Sequence, residues 1–303
     1  MLRHIREFIW TCKEMWGFKD PHLKTIKQQL RASGRPGAGI FAALLTFVSF
    51  LLVKQPLPWL PMLVTMFAYD RLTRNIMTFN DIQDAAHDAK KGKRLALDHP
   101  RAIRKYWRRQ AKIILALLLF IGLVGNPFLA LFMTGVWVLG LVYSYKPKWY
   151  PLNNLTVAVC SGSPAFVGTI YYGGKDTLTA MWVFAIFASI MLFREILKDI
   201  EDCEIDSGYK RTMVTVSGKG RTLSNLLGLV FLLPLAIVFY SWFVVHDPFL
   251  IWATIFMFVL IIYTLAFMFV ASMERWLHLA TRAKQYVDLL IHVILFVLIV
   301  QNI

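Results

Sequence analysis

The chain is short of charge. Asp, Glu, Lys and Arg make up 17% of its 303 residues, against about 25% in an ordinary soluble domain. Acids are the scarcer sign, 18 against 33 Lys and Arg. Cysteine is nearly absent: Cys12, Cys160 and Cys203 have neither metal-ligand nor disulfide spacing. That excludes a zinc ribbon or a disulfide scaffold and leaves three thiols for packing. No cleavable signal peptide is expected at the start.

What abounds is apolar surface, 57% of residues, in long uninterrupted runs. A membrane span needs about 20 predominantly apolar residues. Nine candidate spans follow, at about 38–54, 57–80, 111–125, 127–145, 153–172, 178–198, 223–245, 248–272 and 285–302. The third is short and is expected to be extended or tilted. A single large soluble core is excluded, because nine such runs leave no polar face to meet water. The expected fold is all-α: a polytopic membrane protein of nine transmembrane helices occupying 38–303. Before it, residues 1–37 read as a basic amphipathic segment at the interface, with Phe8, Ile9, Trp10, Trp16 and Phe18 among Arg3, Arg6, Lys13 and Lys19. Gly125-Asn126-Pro127, Gly173-Gly174 and His246-Asp247-Pro248 read as turns between spans, and Pro56, Pro58 and Pro61 mark the entry to the second.

A net charge of +15 on a soluble protein would point to nucleic acid. Here its distribution sets topology, and no nucleic-acid partner is expected. With the N-terminus inside, the inner segments are 1–37, 81–110, 146–152, 199–222 and 273–284. Only Lys54 and Lys175 fall outside; the other 31 of the 33 Lys and Arg lie inside or at the inner ends of their helices. This is the positive-inside pattern, and such a basic inner face attracts anionic lipid or anionic substrate.

Against that basic face, nine of the 18 acids gather in two clusters. Asn80-Asp81-Ile82-Gln83-Asp84-Ala85-Ala86-His87-Asp88 follows the second span. Arg194-Glu195-Ile196-Leu197-Lys198-Asp199-Ile200-Glu201-Asp202-Cys203-Glu204-Ile205-Asp206 closes the sixth. Asp81, Asp84 and Asp88 are spaced i, i+3, i+7, and so are Asp199, Asp202 and Asp206. On a helix each set shares a face, where like charges repel. Helix stability does not explain them; a divalent cation does. Two acidic stripes at a membrane boundary point to Mg²⁺ held between carboxylates and substrate phosphates. The bland alternative is a pair of solvated helix ends. Lys93, Arg94, Lys210 and Arg211 in the two inner loops, and Lys146 and Lys148 after Tyr143-Ser144, are candidate diphosphate donors. Singly, each also fits a topological role. Asp70 and Arg74 inside the second span form an internal pair or present Arg74 to phosphate. Asp288 and His292 in the ninth read as a structural hydrogen bond. The clusters make the chain two loosely similar halves.

The chain resembles the UbiA superfamily of intramembrane prenyltransferases, which has nine helices and two aspartate-rich motifs. Asn-Asp-x-x-Asp-x-x-x-Asp is matched at 80–88 and Asp-x-x-Asp-x-x-x-Asp at 199–206. Arg35-Pro36, Tyr143-Ser144 followed by lysine, Asn154-Leu155 and Arg211-Thr212 resemble further family elements. Residues 194–202 look most like the second motif of digeranylgeranylglyceryl phosphate synthases. There are departures: Ile205 stands where that family has Gly, Lys90-Lys91-Gly92-Lys93-Arg94 replaces an Arg-Pro segment, and Met213-Val214 replaces Leu-Pro.

The resemblance implies a helical bundle around a central cavity and two Mg²⁺ ions on Asn80, Asp81, Asp84, Asp88, Asp199, Asp202 and Asp206. It implies a polyprenyl diphosphate such as geranylgeranyl diphosphate as donor. The acceptor would be lipophilic, a glycerol-phosphate lipid or an aromatic quinone precursor, in contact with membrane lipid. Tyr143, Lys146 and Lys148 are the expected catalytic clamp. Arg35, Arg74 and Asn154 are expected at the acceptor or in support. A terpene cyclase, a polyprenyl-phosphate sugar transferase and a transporter are the rival readings.

Overall fold

The computed structural model describes residues 26–90, 92–145, 152–206, 211–240, 255, 258, 259, 261–268 and 272–303. Among these residues all regular structure is helical. In chain order the elements are α1 (Ile26–Ser33), α2 (Pro36–Leu52), α3 (Trp59–Gln83), α4 (Ala85–Lys90), α5 (Leu95–Asp98), α6 (Pro100–Val124) and α7 (Pro127–Tyr145). Then come α8 (Leu152–Gly162), a 3₁₀ turn (Ser163–Phe166), α9 (Val167–Tyr171), α10 (Thr177–Glu201), α11 (Cys203–Asp206), α12 (Met213–Tyr240) and α13 (Met273–Asn302). Residues 261–268 are also helical.

The first, second, fourth and sixth expected spans correspond to α2, α3, α7 and α10 within a few residues. The short third span is the end of a longer helix that begins at Pro100, where the ring's fixed φ suits a first helical position. The fifth is interrupted. Pro164 lacks an N–H to donate, so α8 gives way to the 3₁₀ turn before α9. The ninth lies within the longer α13; the seventh falls on α12 as far as Tyr240, and its last residues, 241–245, lie outside the described residues. Most of the eighth, and the interfacial segment up to residue 25, lie outside the described residues. By length and composition Pro127–Tyr145, Thr177–Glu201 and Arg275–Asn302 suffice to cross a membrane, and Pro36–Leu52 is apolar but shorter.

The chain forms two compact units, Met1–Lys146 with Val167–Lys175, and Pro147–Phe166 with Asp176–Ile303. In the first, α3 is central and packs on α2, α6 and α7. Its buried Met62, Thr65, Tyr69, Leu72 and Ile76 recur at helical spacing. Buried Asn75 donates to the Trp107 carbonyl at 3.0 Å and accepts from Trp137 Nε1 at 3.0 Å, tying three helices through one satisfied amide. Asn126 receives the Leu129 N–H at 3.1 Å and caps α7. In the second unit α10 is central and packs on α8, α12 and α13. Its buried face is Val183, Phe187, Ile190, Phe193 and Leu197. α12 changes direction at Gly218, whose φ of 75° a side chain would strain.

Candidate active site

The first acidic cluster sits where α3 ends. The helix stops at Gln83, Asp84 takes φ −90° and ψ 10°, and α4 begins at Ala85. The backbone nonetheless stays helically bonded through the break: Asp84 N–H reaches Asn80 O at 2.9 Å, and Asp88 N–H reaches Asp84 O at 2.7 Å. Asp84 and Asp88 are buried, 4% and 7% exposed. Asn80 Nδ2 donates to Asp84 Oδ2 at 3.2 Å. Lys93 Nζ stands 3.9 Å from Asp88 Oδ2.

Asp81 is met by Arg35, whose guanidinium donates to Oδ1 at 3.4 Å. Arg35 precedes α2 with φ 45°, a left-handed conformation costly for a residue with a Cβ. Desolvation pushes the Asp81 carboxyl up to about 6, against the pull of Arg35 and Lys93. Of the two readings left open for Arg74, the structure shows the internal pair: Arg74 Nε donates to Asp70 Oδ1 at 2.7 Å, and Arg71 Nε lies 3.4 Å from Oδ2. Gly39 makes this possible, since a Cβ there would run into Asp70 Oδ1 and lie 3.0 Å from Arg74 Nε. Arg94 is paired with Asp98 on the exposed surface, at 3.2 Å from each carboxylate oxygen.

The second cluster repeats the break. α10 ends at Glu201, Asp202 takes φ −92° and ψ 0°, and α11 carries Asp206. Asp202 N–H bonds Lys198 O at 3.0 Å, and Asp206 N–H bonds Asp202 O at 2.8 Å. Here the structure shows the company of the six acids, of which the spacing had already set Asp199, Asp202 and Asp206 apart. Glu195 is held by Arg194 at 3.2 Å and Lys198 at 3.0 Å. Glu201 is held by Lys284. Glu204 is exposed. Buried Asp199 instead receives a neutral donor: Asn154 Nδ2, itself buried, bonds Oδ2 at 2.9 Å. Asp206 is 1% exposed.

The expected Asp288–His292 bond takes another form. His292 Nδ1 donates to the Asp288 carbonyl, while the Asp288 carboxylate takes Arg194 Nε at 2.6 Å. Sequence reading missed Lys284 and Asp288 as partners of α10. Their spacing of four on α13, facing Arg194 and Glu201 of opposite sign, was the available signal.

Tyr143 is half-buried near the end of α7, and neighbouring Ser144 is buried with its hydroxyl on the Gly140 carbonyl at 2.9 Å. Lys146, Lys148 and Lys210 lie outside the described residues. Arg211 is exposed beside Thr212. Thr212 Oγ1 accepts from Thr215 N–H at 3.3 Å and Thr215 Oγ1 from Thr212 N–H at 2.8 Å, a reciprocal cap that starts α12.

The sequence profile of the UbiA prenyltransferase family matches residues 40–284. A search of curated proteins finds no match. Solved structures of the same fold include one from work on digeranylgeranylglyceryl phosphate synthase in membranes: TM-score 0.68, 18% identity, covering 91% of this chain and 98% of that one. A UbiA homolog from Aeropyrum pernix K1 superposes with TM-score 0.66 at 17% identity, covering 85% and 98%. A UbiA homolog from Archaeoglobus fulgidus bound to GPP and Mg²⁺ gives 0.62 at 17%, covering 87% and 99%. At these identities the likeness speaks to the fold.

Proposed function

Because this chain belongs to the UbiA prenyltransferase family, we propose that it moves a polyprenyl group from an allylic polyprenyl diphosphate to a lipophilic acceptor and releases diphosphate. The donor is of the geranylgeranyl diphosphate class, and the acceptor is a glycerol-phosphate lipid or an aromatic quinone precursor. The observation that carries the reading is the repeated device at 80–88 and 199–206. In each, a long, largely apolar helix breaks at the middle aspartate of an i, i+3, i+7 set and leaves buried carboxylates beside the break.

Magnesium fits that donor chemistry. The motifs offer hard oxygen ligands, and a buried ionised carboxylate is costly without a cation. Among the described residues no three His, Cys, Asp or Glu groups gather as an all-protein cage. Magnesium does not need one, since it usually takes one or two carboxylates with phosphate and water completing the shell. Asn80, Asp81, Asp84 and Asp88 of the first motif and Asp199, Asp202 and Asp206 of the second would hold two ions. Bound there, magnesium would neutralise the charge of the leaving diphosphate. The Archaeoglobus fulgidus homologs, solved with DMAPP or GPP and Mg²⁺, support this assignment.

The chain's own residues do the rest. Asn154 keeps one Asp199 oxygen engaged and aims the other, and Arg35 does the same for Asp81. Tyr143, Lys146 and Lys148 clamp the diphosphate with Lys93, Lys210 and Arg211, and steady charge as the carbon–oxygen bond breaks. Apolar helix surfaces keep water from the allylic cation. The active-site loops and the N-terminus face the cytoplasm, with the nine-helix domain over 38–303 in the bilayer, a reading that the distribution of Lys and Arg supports.

The test is diphosphate release by purified protein with Mg²⁺ and geranylgeranyl diphosphate. Release is expected only when a lipophilic acceptor is present, and none after chelation. Release without acceptor would make the protein a cyclase. No turnover with any prenyl diphosphate would overturn the reading.

A further inference from the structure

The first half of α6 has a face whose charge nothing inside the described protein answers. Arg101, Arg104, Lys105, Arg108, Arg109 and Lys112 are all exposed, and their spacing of i, i+3, i+4, i+7, i+8, i+11 puts them on one stripe. The opposite stripe, Ile103, Gln110, Ile114, Leu118 and Ile121, is buried. Among the described residues none of the six cations makes a hydrogen bond or ion pair. The sequence around them offers no acid either: from His99 to Lys175 there is no Asp or Glu. Six cations concentrated on one face without a carboxylate among them are not a salt-bridged surface helix.

The same face continues without a break into Leu115, Leu119 and Leu123, which are 55%, 63% and 77% exposed. The cationic stripe is therefore collinear with a lipid-facing one. Length makes the join acute. From Ile113 to Val124 the apolar part rises about 18 Å, against about 30 Å of bilayer hydrocarbon. With the far end of α6 at the outer boundary, the lower cations fall at or just inside the inner boundary. Long basic side chains there must reach back to the headgroups.

We propose that this face of α6 is a binding strip for anionic lipid headgroups. The guanidinium and ammonium groups from Arg101 to Lys112 grip the phosphates of inner-leaflet lipids while Leu115, Leu119 and Leu123 lie against their chains. Arg supplies paired donors to phosphate oxygens. The lipid in turn supplies the negative charge this stretch of chain lacks. The strip is separate from both acidic motifs, so it stands whether or not the chain is a prenyltransferase.

Native mass spectrometry of the full chain released from nanodiscs of equal phosphatidylglycerol and phosphatidylcholine reads the proposal directly. The wild type should retain phosphatidylglycerol in excess. Each basic residue near an anionic surface is worth roughly fivefold in affinity, so R104Q/R108Q/R109Q should lower that excess about tenfold or more. A control of equal charge change at exposed sites of the other unit, R221Q/R275Q/R282Q, should keep it. Equal losses in both variants would mean that only net charge matters, and no phosphatidylglycerol excess in the wild type would overturn the strip outright. A measurement that needs no variant guards against misfolding. Amine-reactive labelling of Lys105 and Lys112 should be slower in phosphatidylglycerol than in phosphatidylcholine nanodiscs, while exposed Lys90 is labelled alike in both. Equal rates for Lys105 and Lys112 in the two lipids refute the proposal.

Discussion

The two acidic motifs have the same spacing and different company. In the first, the amide that meets the middle aspartate is Asn80, four residues upstream on the same helix, and the leading aspartate is met by a cation, Arg35. In the second, the amide is Asn154, brought from another helix to the leading aspartate, and the cations are taken up by Glu195 and Glu201. The first motif draws its amide from its own helix and a cation from the chain before α2, whereas the second depends on the packing of α8 and α13 against α10. The comparison teaches that company and spacing are independent: Glu195 and Glu201 hold lysine or arginine outside the aspartate spacing, Asp81 and Asp88 hold them within it, and Asp199 takes a neutral donor.

Removing the middle aspartates is the harshest way to break the comparison. Asp84→Ala and Asp202→Ala should each abolish diphosphate release while the protein still inserts and elutes as a single species. Survival of activity in either one would mean the motifs are not equivalent.

Next in size are the two amides. A group that orients a metal ligand typically accounts for about 10–100-fold in metal affinity or rate. Asn154→Ala should fall in that range, with the Mg²⁺ requirement shifted to higher concentration. Asn80→Ala should do at least as much, because Asn80 is itself a candidate ligand. An Asn154→Ala variant with a normal Mg²⁺ titration and lowered thermal stability would reduce Asn154 to a packing residue.

The salt-bridged acids should respond in the opposite sense. Lys284→Met is expected to lower stability by roughly 1–3 kcal/mol, the range for a hydrogen bond to a charged group that leaves its partner unmet. Turnover per folded molecule should be kept, as read by a thermal melt beside an activity assay on the same sample. Loss of turnover without loss of stability would move Glu201 into the working set.

Smallest of all is the exposed Arg94–Asp98 pair. Exposed pairs are screened by water and salt, so Asp98→Asn should leave both the melt and the kinetics at wild-type values. A clear effect on donor affinity would return Arg94 to the diphosphate site.

How far these contrasts were legible depends on the range of the interaction. The spacing of Asp81, Asp84 and Asp88 was plain because helical neighbours are set by local geometry. The turn at Gly125-Asn126-Pro127 was plain for the same reason, whereas the break at Pro164 went unread inside the span expected at 153–172. The pairing of Asn154 with Asp199 spans 45 positions, and that of Arg194 with Asp288 spans 94. No local rule reaches those distances. Asp288 and His292 show the limit well: the spacing announced an i, i+4 contact, but the carboxylate went to a stronger, charged donor on another helix.

Composition and order alone determined that the chain is helical and apolar and that two sets of aspartates are spaced for one helix face each. These follow from burial of side chains in lipid and from the pitch of the α-helix, which act along the chain. Only the tertiary structure decided which acids are neutralised. It also broke both helices at their middle aspartates and, among the described residues, left the α6 cations without a protein partner. Those outcomes depend on which helices come to lie side by side, and charges find partners through space, where distance and desolvation outweigh separation in sequence.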